Sequence, residues 1–169
     1  MHVTNYEAII QSLFVKDRNG NTDDVVLGYD LLEEYVKDQY YIGCVVGRYA
    51  NRISTGIINV NSKEYTIHTT EGGYHLHGGK YGFNKKVWSS QVLEKNTSSG
   101  IRLSYLSVNG EEGFPGSLKT EVTYWLTDRN EVVVEYAAST DETTLINLTQ
   151  HSYFNLSGHN SGNILNHEM

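Results

Sequence analysis

Short apolar runs separated by polar turns dominate the first part of the chain. The run AIIQSLFV (8–15) ends at the turn signal DRNGN (17–21), and a second short apolar run occupies 25–27. Apolar runs on either side of such a turn predict a β-hairpin. The stretch 30–36 differs, because its apolar residues follow Asp30 at helical spacing and predict one short helix capped by that aspartate.

Strand-like patterns recur from Ile53 onward. Apolar and polar residues alternate in 101–105 and 122–126, which is typical of a sheet with one buried and one wetter face. A turn at 128–130 separates the last pair of strands. The predicted strands cover 56–60, 64–68, 87–93, 101–108, 118–126 and 131–137.

Composition supports the same class. The chain contains 16 Gly but 1 Pro, together with 13 Tyr and many β-branched residues, which favours strands joined by glycine turns. No internal repeat, linker or low-complexity tract divides the 169 residues. The sequence therefore predicts one all-β domain.

Charge and hydropathy limit the partners. A formal net charge of −7 argues against nucleic acid, because phosphate binding requires clustered Lys and Arg. No stretch reaches the roughly 18 apolar residues of a membrane span, and the start lacks a secretory signal. Cys44, the single cysteine, lies among apolar residues and is expected to be a buried free thiol. We expect a cytoplasmic protein with neither a membrane nor a nucleic-acid partner.

The most site-like pattern is the sequence NLTQHSYFNL, which begins at Asn147. In a strand, Asn147, Thr149, His151, Tyr153 and Asn155 share one face, which is polar and aromatic. Histidine has an ordinary pKa near 6.5, so it gives and takes protons at neutral pH. His151 is accordingly the candidate acid.

Two other segments carry groups that suit ligand recognition. GRYANRI contributes Asn51 and two arginines, Arg48 and Arg52, whose amide and guanidinium groups match the hydroxyls of a polyol. Taken alone, both arginines are predicted to be surface charges, since Arg is seldom buried unpaired. In HLHGG, His75 and His77 share one side of a strand and could bind a metal or a ligand, although a structural role is favoured.

The loop GEEGFPG (110–116) carries the adjacent carboxylates Glu111 and Glu112. Neighbouring residues point in different directions, so the pair is poorly placed for a glycosidase, whose carboxyl groups lie about 5–9.5 Å apart. A shaped turn with solvated acids is the favoured interpretation. A metal enzyme that uses His75, His77 and His151 is disfavoured, because no acidic ligand stands at a usable spacing.

Together these segments resemble the aldose 1-epimerase (galactose mutarotase) family. The resemblance runs from about Glu7 to the end, and its matching segments occur in the family's order. It implies an antiparallel β-sandwich that interconverts the α and β anomers of aldohexoses such as galactose and glucose, with no cofactor and no metal. The matching segments are 47–53, 76–79 with 82–83 and Trp88, 110–116, and 147–156.

The same resemblance implies roles for individual residues. His151 matches the acid that protonates the sugar ring oxygen, and His77 matches a histidine that helps to hold this oxygen. Asn51 and Arg52 match residues that contact sugar hydroxyls, and Tyr153 is expected to line the same surface. In the implied reaction a carboxylate takes the proton of the C1 hydroxyl while an imidazolium protonates the ring oxygen. The ring opens, the C1–C2 bond rotates, and closure gives the other anomer.

The resemblance also predicts that 1–169 is a single but incomplete β-sandwich domain. The family's sugar-binding aspartate and catalytic glutamate base fall beyond residue 169, and Glu111, Glu112 and Glu168 match neither. The isolated chain is then expected to lack the catalytic base, which leaves an inactive fragment open. Unpaired edges and an uncovered apolar face favour aggregation or association with a second chain that completes the sandwich. The alternative function is a non-catalytic module that binds a carbohydrate or a partner.

Overall fold

The computed structural model describes residues 1–168, and its strands pair antiparallel, which confirms the predicted all-β class. Most strands are short and form two-stranded pairs, whereas β10 to β13 form a four-stranded sheet in sequence order. The elements are β1 (His2–Val3), β2 (Ile10–Ser12), β3 (Phe14–Lys16), β4 (Thr22–Asp24), α1 (Leu32–Lys37), β5 (Val45–Val46), β6 (Arg52–Ile53), β7 (Ile57–Val60), β8 (Lys63–Thr66), β9 (His75–Leu76), β10 (Ser89–Lys95), β11 (Ser98–Ser107), β12 (Leu118–Thr127), β13 (Val132–Thr140) and β14 (Thr149–Gln150), with 3₁₀ turns at Phe83–Lys85 and Glu111–Gly113.

The four-stranded sheet buries one face against the largest hydrophobic cluster. Alternate residues of β12, including Val122 and Tyr124, are fully buried and pack with Phe83 and Trp88. The Tyr124 hydroxyl donates to the carbonyl oxygen of Ala8 at 2.8 Å. A buried hydroxyl needs such a partner, so this bond ties the amino-terminal segment to the sheet.

The amino-terminal hairpin forms around the predicted turn, but its second strand is Thr22–Asp24 and not the predicted run 25–27, and the run before the turn is not one strand. β3 and β4 pair around the turn at 17–21. The run 8–15 is interrupted because the Asp24 carboxylate accepts the backbone N–H of Leu13 at 2.8 Å. A side chain that takes a backbone donor in this way competes with the sheet ladder.

The predicted helix forms, but it starts later and buries less than expected. It begins at Leu32, and the N–H of Leu31 donates to the Glu34 carboxylate at 3.0 Å, so Asp30 is not its cap. Tyr35 is 2% exposed, whereas Leu32 is 56% exposed. One buried tyrosine therefore anchors this helix.

The prediction that the segment carrying His151 is one continuous strand is wrong. β14 covers Thr149–Gln150 and pairs with β5. The N–H of Ser152 then donates to the Gln150 side chain at 2.7 Å, and Phe154 forms a bridge with Val26 instead. Because the chain changes its pairing partner there, His151 lies just past a strand end.

The prediction that Arg48 is a surface charge is also wrong, since this residue is 2% exposed. Its guanidinium donates to the carbonyl oxygens of Pro115 and Gly116 at 2.9 and 2.8 Å, and to the Ser107 hydroxyl at 2.6 Å. A guanidinium has five N–H donors, and here backbone acceptors surround it. Arg48 therefore fastens the segment 47–53 to the loop after β11.

The acids of the 110–116 loop are not freely solvated, contrary to expectation. Glu111 accepts from Tyr105 at 2.7 Å and from Ser107, and pairs with Lys86 at 2.6 Å. Burial alone raises the pKa of this carboxyl, but those hydrogen bonds outweigh it and lower the pKa. The Glu112 carboxylate accepts the backbone N–H groups of 80 and 81 at 2.9 and 3.0 Å. Both acids hold the loop in shape.

Two smaller expectations concern the thiol and the membrane. Cys44 is a free cysteine with no exposed surface, as predicted, and burial raises the pKa of its thiol. Within residues 1–168, the helices are too short and too polar to cross a bilayer.

Replacing Arg48 with alanine is expected to lower the free energy of unfolding by about 3–5 kcal/mol, because buried acceptors lose their donors and Glu111 loses a nearby positive charge. Urea denaturation of the native chain and of Arg48→Ala measures the difference. Arg18→Ala is the matched control, since Arg18 is exposed in the hairpin turn, and a change within about 0.5 kcal/mol is expected there. Equal losses in the two variants would contradict a structural role for Arg48.

Candidate active site

His77 and His151 lie in contact, although they are far apart in the sequence. Their ring centroids are 5.3 Å apart and the planes stand at 86°, which is the edge-to-face arrangement that aromatic rings prefer. Both side chains are partly exposed. His151 is held by its backbone, which donates to the carbonyl of Cys44 at 2.9 Å and accepts from the N–H of Gly43 at 3.2 Å. The two imidazoles are therefore brought together at a surface that a ligand can reach.

His77 follows β9 and continues its pairing with the β6 side through both its backbone and its ring. Its N–H donates to the carbonyl of Asn51 at 3.1 Å, and its ring Nδ1 accepts the N–H of Asn51 at 2.9 Å. A backbone N–H can only donate, so Nδ1 carries no proton. In the neutral ring the proton therefore sits on Nε2, which leaves Nε2–H free to donate to a ligand.

The surroundings of His77 favour its neutral form. Burial lowers its pKa to about 4, and the charges of His151, Arg52 and His75 act in the same direction. The backbone N–H of Asn51 adds to this preference, because protonating Nδ1 breaks that hydrogen bond. At neutral pH, His77 is thus a hydrogen-bond donor and not a source of charge.

The other predicted site residues lie next to this pair. Asn51 is exposed and adopts a left-handed conformation with φ of 66°, which asparagine tolerates better than most residues. Its side-chain oxygen accepts from the Arg52 guanidinium at 3.3 Å, and Arg52 lies over the ring of Tyr74 at 5.5 Å. Tyr153 packs against His151 with ring centroids 5.2 Å apart. Exposed donors and acceptors therefore surround the imidazoles.

One aromatic residue of the cluster was not predicted from the sequence. The ring of Tyr41 lies 4.6 Å from His77 and 5.9 Å from His151. Tyr41 stands in the irregular segment between α1 and β5, where no periodic pattern marks it. The YY pair at 40–41 was the only available signal.

His75 does not join this cluster. It has no exposed surface, its Nδ1 lies 2.7 Å from the carbonyl oxygen of His68, and its ring packs on Phe114 at 5.2 Å. The favoured structural role of this histidine agrees with its position. In the described part of the chain, His, Cys, Asp and Glu residues form no group of three or more that could hold a metal.

A cleft of about 630 Å³ opens beside the aromatic cluster. Tyr41 lines it, as do Leu76 and Gly79, which flank His77 and Gly78 in the sequence. Its volume falls in the range of about 300–1,000 Å³ that is usual for small-molecule pockets, but His77 and His151 are not among the residues that line it. Its remaining wall is mostly polar, formed by Asp38, Gln39, His68, Thr69, Thr70, Glu71, Lys80, Asn84 and Lys85.

The fold and the site together define a class of protein. It is an antiparallel β-protein whose surface site is built around two contacting histidines, with exposed polar and aromatic side chains beside them. The chain belongs to the aldose 1-epimerase family, whose model, described as "Aldose 1-epimerase", matches residues 1–169. The predicted family is thereby confirmed.

The chain is similar to named relatives and to solved structures. It is 48% identical to galactose mutarotase of Bos taurus over 167 residues, which are 99% of this chain and 47% of that protein. It is 34% identical to aldose 1-epimerase of Escherichia coli over 151 residues, 89% of this chain and 42% of that protein. A galactose 1-epimerase from Lactobacillus acidophilus aligns with TM-score 0.81 and 27% identity, covering 91% of this chain and 45% of that one. The corresponding values for an aldose epimerase homologue from C. elegans are 0.82, 36%, 92% and 47%. This chain spans about half the length of the curated relatives it matches.

Titration of the histidine ring protons by NMR is expected to show His77 with a midpoint near 4. Its signal is assigned by its loss in His77→Asn. Because the folded-state pKa lies below the ordinary value near 6.5, the contribution of His77 to stability is complete above about pH 6.5 and is lost as the pH falls through 4. The native chain should therefore lose more stability than His77→Asn over this interval. A midpoint near 6.5 would contradict the geometry of Nδ1.

Proposed function

We propose that this chain forms the acid side of an aldose 1-epimerase site that binds aldohexoses such as galactose and glucose. The observation that carries the proposal is the contact between His77 and His151 beside Asn51 and Arg52. Asn51, Arg52 and Tyr153 hold the hydroxyls and one face of the sugar. The names of the relatives, galactose mutarotase and aldose 1-epimerase, support the same substrate class.

The two histidines take different roles in the proposed reaction. His151 in its imidazolium form donates a proton to the ring oxygen as the bond from C1 to that oxygen breaks. His77 stays neutral and donates a hydrogen bond from Nε2 to the same oxygen, because its Nδ1 is occupied by the N–H of Asn51. A carboxylate takes the proton of the C1 hydroxyl, which leaves the open-chain aldehyde. Rotation about C1–C2 and the reverse transfers give the other anomer.

The carboxylate base is proposed to come from outside residues 1–168. Within them, neither ring of the histidine pair has a carboxylate as a hydrogen-bond or ion-pair partner, and Glu111 and Glu112 hold their own loop. We propose that 1–169 is one partial β-sandwich domain, completed by polypeptide that supplies this base. A cytoplasmic location is part of the proposal, supported by the free buried Cys44.

The alternative is a non-catalytic module that binds a carbohydrate or a partner. The half-length coverage of the relatives and the histidine pair without a bound carboxylate favour it. A pure binder is distinguished from an epimerase by turnover in the presence of an added base.

Polarimetry of freshly dissolved α-D-galactose tests the proposed reaction. Acetate supplies a carboxylate in solution, so the chain with acetate should approach anomeric equilibrium faster than acetate alone. His151→Ala should remove this gain, because a positioned proton donor contributes about 10²–10⁴ in rate. His2→Ala is the matched control and keeps the gain, since His2 is exposed in β1. No gain with the native chain, while galactose still shifts the His151 ring signals, would support the binding module instead.

β13 offers an edge to which the proposed completing polypeptide can pair. This strand pairs with β12 on one side and is one of the two outermost strands of the four-stranded sheet, the other being β10. Val133 and Tyr136 on it are each 37% exposed. An unpaired edge with exposed apolar side chains favours pairing with another strand.

Sedimentation velocity is expected to show that the chain alone associates through this edge. Val133→Lys should shift it toward the monomer, because a lysine on an edge strand opposes strand pairing. Thr22→Lys, at an exposed position of β4, is the control and should leave the distribution unchanged. A native chain that is monomeric at all concentrations would count against an unpaired docking edge.

A further inference from the structure

Tyr41 contacts both histidines of the site at once. Its ring stands at 64° to His77 with centroids 4.6 Å apart, and at 39° to His151 with centroids 5.9 Å apart. Both distances lie within the range of about 4.5–7 Å for attractive aromatic pairs. Tyr153 is paired with His151. Among the described residues, Tyr41 is therefore the aromatic side chain besides the histidines themselves that packs on both imidazoles.

The backbone around Tyr41 is tied to the segment that carries His151. The carbonyl of Tyr40 accepts the Tyr153 hydroxyl at 3.0 Å, and the N–H of Gly43 donates to the carbonyl of His151 at 3.2 Å. The Asp38 carboxylate accepts the N–H groups on both sides, from residues 40 and 42, at 3.1 and 3.0 Å. The ring of Tyr41 is thus presented from a fixed loop.

Tyr41 also has an uncommon backbone conformation, with φ of 59°. A bulky residue in the left-handed region is an outlier, and such conformations persist where the surroundings hold them and cluster at functional sites. Glycine adopts this region without steric cost. The loop therefore holds a bulky side chain at a backbone position that glycine would occupy without steric cost.

The environment of His77 indicates how the ring of Tyr41 affects this imidazole. Burial is the first cause of its lowered pKa, ahead of the charges of His151, Arg52 and His75. Of the aromatic rings near His77, that of Tyr41 lies closer than that of His151. An apolar ring at this distance excludes water from one side of the imidazole.

We propose that Tyr41 is a positioning residue of the site: its ring seats the imidazole of His77 against His151 and keeps water from it, so that Nε2–H is presented to the substrate. The hydroxyl is not needed for this role. The inference rests on the proposed function only for the identity of the substrate, since the seating of His77 is a property of the free protein.

The test compares Tyr41→Gly and Tyr41→Asn with Tyr41→Phe by NMR titration of His77. Glycine and asparagine both tolerate the left-handed backbone, so these two variants remove the ring with little backbone cost. In both, the midpoint of His77 is expected to rise by at least about one pH unit toward its ordinary value, because water reaches the ring. Tyr41→Phe keeps the ring and should keep the native midpoint.

The readout requires no sugar, so it separates this inference from the proposed reaction. Unchanged midpoints in folded Tyr41→Gly and Tyr41→Asn would overturn the inference, and a shift in Tyr41→Phe would assign the effect to the hydroxyl instead. The native protein gives an independent check, since the ring protons of Tyr41 and His77 should show a nuclear Overhauser contact. Its absence would overturn the inference even if the variants failed to fold.

Discussion

The buried guanidinium of Arg48 is the constraint on which the site depends. It takes up backbone oxygens from two places in the chain, the end of β11 and the turn at Pro115 and Gly116. An uncompensated buried charge is costly, so these acceptors and the nearby carboxylate of Glu111 must stay in place once Arg48 is buried. The segment 47–53 is thereby fixed against the sheet.

Two backbone hydrogen bonds link Arg48 to the segments that carry the imidazoles. The carbonyl of Arg48 accepts the N–H of Asn147, and the carbonyl of Asn147 accepts the N–H of Ala50. Asn51 follows immediately, and its N–H sets the protonation of the His77 ring. The same segment therefore fixes the start of the 147–156 stretch and the donor that determines which nitrogen of His77 is free.

The sequence was sufficient where local pattern and tertiary contacts agree. Alternation in 101–105 and 122–126 predicted strands that form, because the four-stranded sheet buries one face on Phe83 and Trp88. It failed where a side chain takes a backbone donor, as Gln150 does from Ser152, since periodicity does not register such a bond. The burial of Arg48 and the position of Tyr41 depend on partners more than 50 residues away in one case, and on an irregular loop in the other. Hydrophobic periodicity marks neither residue.

The contact between the histidines itself argues for different roles. Two imidazoles with centroids 5.3 Å apart repel each other when both are protonated, and the charge of His151 is among the causes that lower the pKa of His77. His77 has a second reason to stay neutral, because Nδ1 must accept from the fixed N–H of Asn51. No backbone donor is directed at the ring of His151 among the described residues, so its ring nitrogens are not fixed in this way. Electrostatics and hydrogen bonding thus make His77 the neutral hydrogen-bond donor independently of the family resemblance, which supports the proposal that His151 is the proton donor.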